Sequence, residues 1–186
     1  MSGEESRDNA AKTKIADICM NAGTALASSG MYDRALKYLD KAWTLYEGLD
    51  LKENATNALT NIATVYYKKG ESDKAIRFFQ QSLAIYEELG NQRSVGTCYE
   101  NIGLVHLNQD NFEQAQEYYQ KALEIFLSLG DNSRICFNCM NLGTILYYQG
   151  KFDQAMTHYQ RSMVISEEQN DKRGMARSYE NVGVVH

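Results

Sequence analysis

The segment "NIGLVHLNQDNFEQAQEYYQKAL", Asn101 to Leu123, is matched by "NLGTILYYQGKFDQAMTHYQRSM", Asn141 to Met163, at an offset of 40 residues. Both copies place an amide, a hydrophobic–glycine pair, a turn residue, an aromatic and two small residues at the same offsets. Shifted against itself by 40, the chain keeps this register over 160 residues without a gap. Asn21, Asn61, Asn101, Asn141 and Asn181 coincide, as do Gly23, Ala63, Gly103, Gly143 and Gly183. Further on come Ala35, Ala75, Ala115 and Ala155, then Leu39, Phe79, Tyr119 and Tyr159, then Ala42, Ser82, Ala122 and Ser162. Repetition at such a period marks an array of small units that stack to share one core.

Each period holds two stretches with helical spacing. In the third, Tyr99, Ile102, Gly103 and His106 fall at i, i+3, i+4 and i+7, and Phe112, Ala115, Tyr119, Ala122 and Phe126 repeat the pattern. Between the paired stretches sits Gly30, Gly70, Asp110 or Gly150, and after the second sits Asp50, Gly90, Gly130 or Asn170. Gly, Asn and Asp are the types that best tolerate the left-handed conformation that ends a helix. Asp33, Asp73, Glu113 or Asp153 then opens the second helix, where the helix dipole favours an acid. Glycine or alanine on one helix admits a large residue from its partner, and stacked pairs bury a continuous stripe. The reading is an all-α, right-handed solenoid of antiparallel helix pairs: repeats at 15–54, 55–94, 95–134 and 135–174, and the start of a fifth from 175. The polar first ten residues are expected to be mobile. Because "SYENVGVVH", Ser178 to His186, stops within a first helix, the chain is expected to be an excised fragment of a longer array.

The net charge of −5, with both signs interspersed, offers no electrostatic footprint for nucleic acid. No apolar run approaches the ~20 residues that span a bilayer, so no membrane insertion is expected. The start carries no apolar secretory core, and the four cysteines read as reduced thiols, so a cytoplasmic setting is expected. Cys136 and Cys139 form a lone C-x-x-C with no second pair or clustered histidines, which reads as two thiols on the inner face of a helix. His106 and His186 share a column with Leu26, Tyr66 and Leu146 and read as packed core histidines, while His158 is expected to point outward. No P-loop, nucleophile elbow or metalloprotease motif is present, so neither an enzyme nor a cofactor or metal site is expected.

The two quoted segments resemble the tetratricopeptide repeat (TPR) family, and the resemblance extends over about residues 15 to 186. The period of 40 exceeds the usual length of about 34 and the helix-ending proline is absent, which is expected to lengthen the second helix. Repeats with "NLG" in the first helix and "LGD" or "LGN" between repeats look most like Pins/LGN-type scaffolds. Kinesin light chains and Rap-type bacterial regulators are more distant in style.

What the resemblance implies is a protein-interaction scaffold whose first helices line a concave groove that takes an extended or partly helical segment of a partner. Asn21, Asn61, Asn101, Asn141 and Asn181 would hold the partner backbone, since a primary amide offers both an acceptor and donors. Tyr67, Phe137, Tyr147 and Tyr148 would supply anchoring surface, and Lys68, Glu100, Arg177 and Glu180 its charges. Chaperone-tail capture is not expected, because Met20, Thr24 and Ser28 stand where that subset carries cations. Two alternatives remain open: self-association through the uncapped C-terminal end, and a Rap-like regulator sensing a small signalling peptide.

Overall fold

The computed structural model describes residues 3–185, and side chains over residues 5–183. Among the described residues there are nine helices and no strands. The first unit, Met1–Asn91, contains α1 (Gly3–Ser28), α2 (Tyr32–Gly48), α3 (Lys52–Lys68) and α4 (Ser72–Glu88). The second, Gln92–His186, contains α5 (Gln92–Leu107), α6 (Phe112–Leu129), α7 (Asn132–Tyr148), α8 (Phe152–Glu168) and α9 (Lys172–Val185). Odd-numbered helices are the first of each pair and even-numbered ones the second. From α2 onward, helices of each kind begin exactly 40 residues apart, at 32, 72, 112 and 152 and at 52, 92, 132 and 172.

The turns set this regularity. All eight interhelical turn residues, Gly30, Asp50, Gly70, Gly90, Asp110, Gly130, Gly150 and Asn170, have positive φ. In each case the next N–H donates to the carbonyl five residues back at 2.9–3.0 Å, for instance Met31 to Leu26 and Asn111 to His106. That is the Schellman closure, which satisfies carbonyls the helix end would otherwise leave without partners. Asp33, Asp73, Glu113 and Asp153 stand in the first turns of α2, α4, α6 and α8.

Within each pair the small and large columns interlock. Leu39, Phe79, Tyr119 and Tyr159 of the second helices are buried, as are Ala35, Ala75, Ala115 and Ala155 one turn before them. A Cβ added at Gly143 would sit 2.5 Å from the Tyr159 ring, and one at Gly103 would sit 3.1 Å from Tyr119. Glycine is therefore required by close approach rather than by backbone conformation. Burial of each large side chain contributes about 1.5–3 kcal/mol, enough to explain why the columns decide the fold.

Two expectations meet a different outcome. The extra length over a usual repeat is not concentrated in the second helix: α3, α4, α7 and α8 are each 17 residues long. Helix α1 begins at Gly3, within the polar N-terminal stretch. His158 does not stand clear of the protein but is half-buried on α8. His186 lies outside the described residues.

Candidate functional site

The first-helix face of the first unit is built on α1 and α3. Thr24, Ser28, Asn61, Thr64 and Lys68 surround a small cleft of about 120 Å³ floored by Ala27, Leu39 and Val65. The Thr24, Ser28, Thr60 and Thr64 hydroxyls donate back to carbonyls of their own helices at 2.9–3.0 Å. With the donors so engaged, the hydroxyl oxygens face the cleft as acceptors, while the Lys68 ammonium supplies a cation. The Asn61 amide approaches the Met20 sulfur at 3.2 Å, a weak acceptor that leaves most of its bonding capacity open. Asn21 is exposed on α1, and Tyr67 is half-buried beside the cleft without lining it.

On the second unit, Asn101, Asn141 and Asn181 are all half-buried on α5, α7 and α9. Asn141 donates to the Phe137 carbonyl at 2.9 Å, a local bond one helical turn back. Phe137 is half-buried, edge-on to Tyr119 at 6.4 Å between ring centroids. Tyr148 is 63% exposed and belongs to a file of rings in which Phe112 stacks on Tyr148, Tyr148 meets Tyr147 and Tyr147 meets Phe152, at 5.5–5.9 Å. Arg177 and Glu180 are exposed on α9. Leu104 and Leu107 pack against the core of this unit, and Met140 is buried. Val184 has no described side chain.

Glu100 is the residue whose surroundings differ most from an open groove wall. It is only 2% exposed, and its carboxylate accepts from Arg134 at 2.7 Å and from Asn138 at 2.6 Å. Burial lifts its carboxyl from the ordinary 4.5 to about 7, against the opposing pull of the Arg134 guanidinium and the Asn138 amide. Arg134 is itself placed by Asp131, whose carboxylate accepts the Arg134 N–H at 3.2 Å and also pairs with Arg93. Neither Arg134 nor Asn138 stood out in the sequence. The available signal was the column of Ile18, Ala58, Cys98, Asn138 and Ser178, where asparagine alone brings an amide.

Among the described residues, nothing else gathers into a reactive constellation. His106 stacks on Tyr118 at 5.5 Å and its pKa is lowered by burial, as is that of His158. Cys136 and Cys139 are buried free thiols, and burial pushes the Cys139 thiol up to about 11, away from nucleophilic reactivity. Among the described residues, no three His, Cys, Asp or Glu side chains are grouped to hold a metal ion. No helix among them is long and apolar enough to cross a membrane.

Comparison with known proteins follows this geometry. Models of the tetratricopeptide repeat match residues 15–88 and 54–128, and a related one matches residues 139–168. No curated protein matches the sequence. Among solved structures, aspartyl phosphate phosphatase F from Bacillus subtilis is similar at 18% identity and a TM-score of 0.89, over 94% of this chain and 46% of that one. A signal-transduction ATPase with a tetratricopeptide repeat sensor, from Pyrococcus horikoshii, is similar at 18% identity and 0.84, over 94% of this chain and 27% of that one. A Rap protein complexed with competence and sporulation factor is similar at 17% identity and 0.80, over 89% of this chain and 46% of that one. The chain thus spans less than half the length of these three structures, and the likeness is one of fold.

Proposed function

Because the chain belongs to the tetratricopeptide repeat family, we propose that it is a non-catalytic scaffold that holds an extended or partly helical segment of a partner protein on its first-helix face. The observation that carries this reading is the cleft between α1 and α3, where the Asn61 amide, hydroxyl acceptors and the Lys68 cation converge over an apolar floor. An extended segment presents alternating N–H and C=O groups, and an amide beside hydroxyl oxygens answers both. On the second unit, Asn101, Asn141 and Asn181 offer the same chemistry, with Phe137, Tyr147 and Tyr148 as anchoring surface and Arg177 and Glu180 as rim charges. Glu100 contributes by holding α5 to α7 through Arg134 and Asn138, not by touching the partner.

The test is affinity capture followed by mass spectrometry, comparing the natural chain with Asn61→Ala/Lys68→Ala and with Asn101→Ala/Asn141→Ala. Loss of the same partner from either variant, with an unchanged melting temperature, supports the reading. Equal capture by all three sinks it. A second reading, a regulator sensing a small signalling peptide, draws on the fold shared with the Rap protein solved in complex with competence and sporulation factor. It predicts saturable binding of a short free peptide to the same cleft. Self-association through α9, where Tyr179 is exposed, predicts a sedimentation coefficient that rises with protein concentration.

A further inference from the structure

The opposite side of the first unit carries a surface that the first-helix reading does not use. Between α2 and α4 runs a trough with α3 as its floor. One end is a cavity of about 460 Å³ lined by Trp43, Glu47, Asp50, Lys52, Leu59 and Glu88, among others. The other is a cavity of about 280 Å³ lined by Leu36, Asp40, Trp43, Ile62, Tyr66 and Phe78, among others. Trp43 belongs to both cavities. Its indole N–H is buried with no acceptor among the described residues.

From Lys52 to Tyr66 the floor runs about 20 Å along α3, close to four helical turns. Its apolar residues, Ala55, Leu59, Ile62 and Tyr66, recur at helical spacing. The second unit has Leu123 at the position of Trp43, and that leucine is buried in the core. The trough is thus a local departure from the repeat, built around the single tryptophan of the chain.

Charge selects the occupant. Glu47, Asp50 and Glu88 are exposed at the rim of the larger cavity, and among the described residues none of them forms an ion pair. In the larger cavity they face one rim cation, Lys52, while the smaller cavity carries one charge of each sign, Lys37 and Asp40. Unpaired carboxylates around an apolar floor repel an acidic ligand and complement a basic one. We propose that this trough docks a cationic amphipathic helix of a partner protein, its apolar side chains seated on either side of Trp43 and its Lys or Arg residues on the carboxylate rim. Helix-in-groove recognition of this kind needs apolar anchors at i, i+3 or i+4, and i+7, and both cavities lie along one line that such a helix follows.

Trp43 makes the proposal measurable, since its fluorescence reports the trough alone. The probe is an amidated peptide about four turns long, with leucine on one face and lysine elsewhere, set against a counterpart carrying glutamate in place of lysine. The expected result is a saturable change in Trp43 emission with the lysine peptide only. Glu47→Gln/Asp50→Asn/Glu88→Gln should weaken that binding about tenfold, the combined worth of three exposed ion pairs. All three positions are exposed, and asparagine already occupies the Asp50 column at Asn170, so the variant keeps the fold.

No saturable change with the lysine peptide overturns the proposal, as does equal binding of the two peptides or undiminished binding by the triple variant. A shift of Trp43 emission with protein concentration alone, matched by dimer formation in sedimentation, overturns it in favour of a second copy as occupant. Asn61→Ala/Lys68→Ala lies on the other face and should leave peptide binding unchanged, so failure of the first-helix reading is distinguishable from failure here.

Discussion

The two units solve the same packing problem with different polar contacts. In the first unit, Tyr46 donates to Asp17 and Tyr86 donates to Asn57, each at 2.6 Å, and each bond joins the two helices of one repeat. The second unit has Phe126 and Ser166 at the tyrosine positions and Thr97 and Phe137 opposite them, so these bonds do not exist there. It has instead a weaker tyrosine bond from Tyr159 to Thr144 at 3.2 Å, and a tie from Glu100 to Arg134 and Asn138 that joins the first helices of consecutive repeats. A tyrosine hydroxyl reaching a half-exposed rim is cheap to satisfy and neutral through most of the pH range. Burial and the neighbouring Asp17 hold the Tyr46 hydroxyl protonated, with its pKa pushed up to about 12. A buried carboxyl near 7 is satisfied by partners on another helix, and it carries a pH dependence near neutrality.

The comparison can be broken most sharply at the small column. Gly143→Ala puts a methyl 2.5 Å from the Tyr159 ring, and Gly23→Ala puts one 2.6 Å from Leu39. The tyrosine ring is stiff and its hydroxyl is bonded to Thr144, whereas leucine can change rotamer. We expect Gly143→Ala to lower stability by about 3 kcal/mol and Gly23→Ala by about 1 kcal/mol in urea denaturation. Equal losses at the two sites would mean that the second unit relaxes as readily as the first.

Next in size is the pH dependence of Glu100. The folded chain keeps a proton on this carboxyl up to about pH 7, while the unfolded chain releases it near 4.5. The stabilisation is complete below 4.5 and is lost as pH rises through 7, a decline of about 2 kcal/mol between pH 5 and 7. Glu100→Gln keeps one acceptor oxygen, for either Asn138 or Arg134, and cannot ionise. Melting temperatures measured across this window should therefore lose that part of their slope in the variant, and an unaltered slope would place its origin elsewhere.

Smaller still is Tyr46→Phe, which imposes on the first unit what Phe126 already is in the second. Asp17 is exposed and can turn to water, so the expected cost in thermal denaturation is about 1 kcal/mol. The smallest effect belongs to the turns. Asp110→Gly, at φ 57°, should change stability by no more than about 0.5 kcal/mol, because aspartate already tolerates this conformation.

Much of the fold was legible because the repeat presents each packing rule several times over. The columns of Gly30 and Asp50 named all eight positive-φ turns, and the Ala35 and Leu39 columns named the interlocked core. The candidate site was less legible. Asn61 and Lys68 do meet in one cleft, yet Glu100, assigned to the groove by position, is buried. A column says which way a side chain points. Whether water or a neighbouring helix waits there depends on the bulk of residues many positions away, and Arg134 and Asn138 cover Glu100 from 34 and 38 residues further along.

By itself, then, the sequence determined the period, the helix pairs, their turns and the small-on-large core, because those follow from local conformation and from contacts repeated at fixed offsets. Only the tertiary structure decided which equivalent residues are covered. In one column Ile18 is 66% exposed while Ala58 and Asn138 are buried. In another Trp43 opens a trough where Leu123 fills a core. Burial and cavity shape are sums over neighbours brought together by folding. No pattern internal to one helix contains that sum.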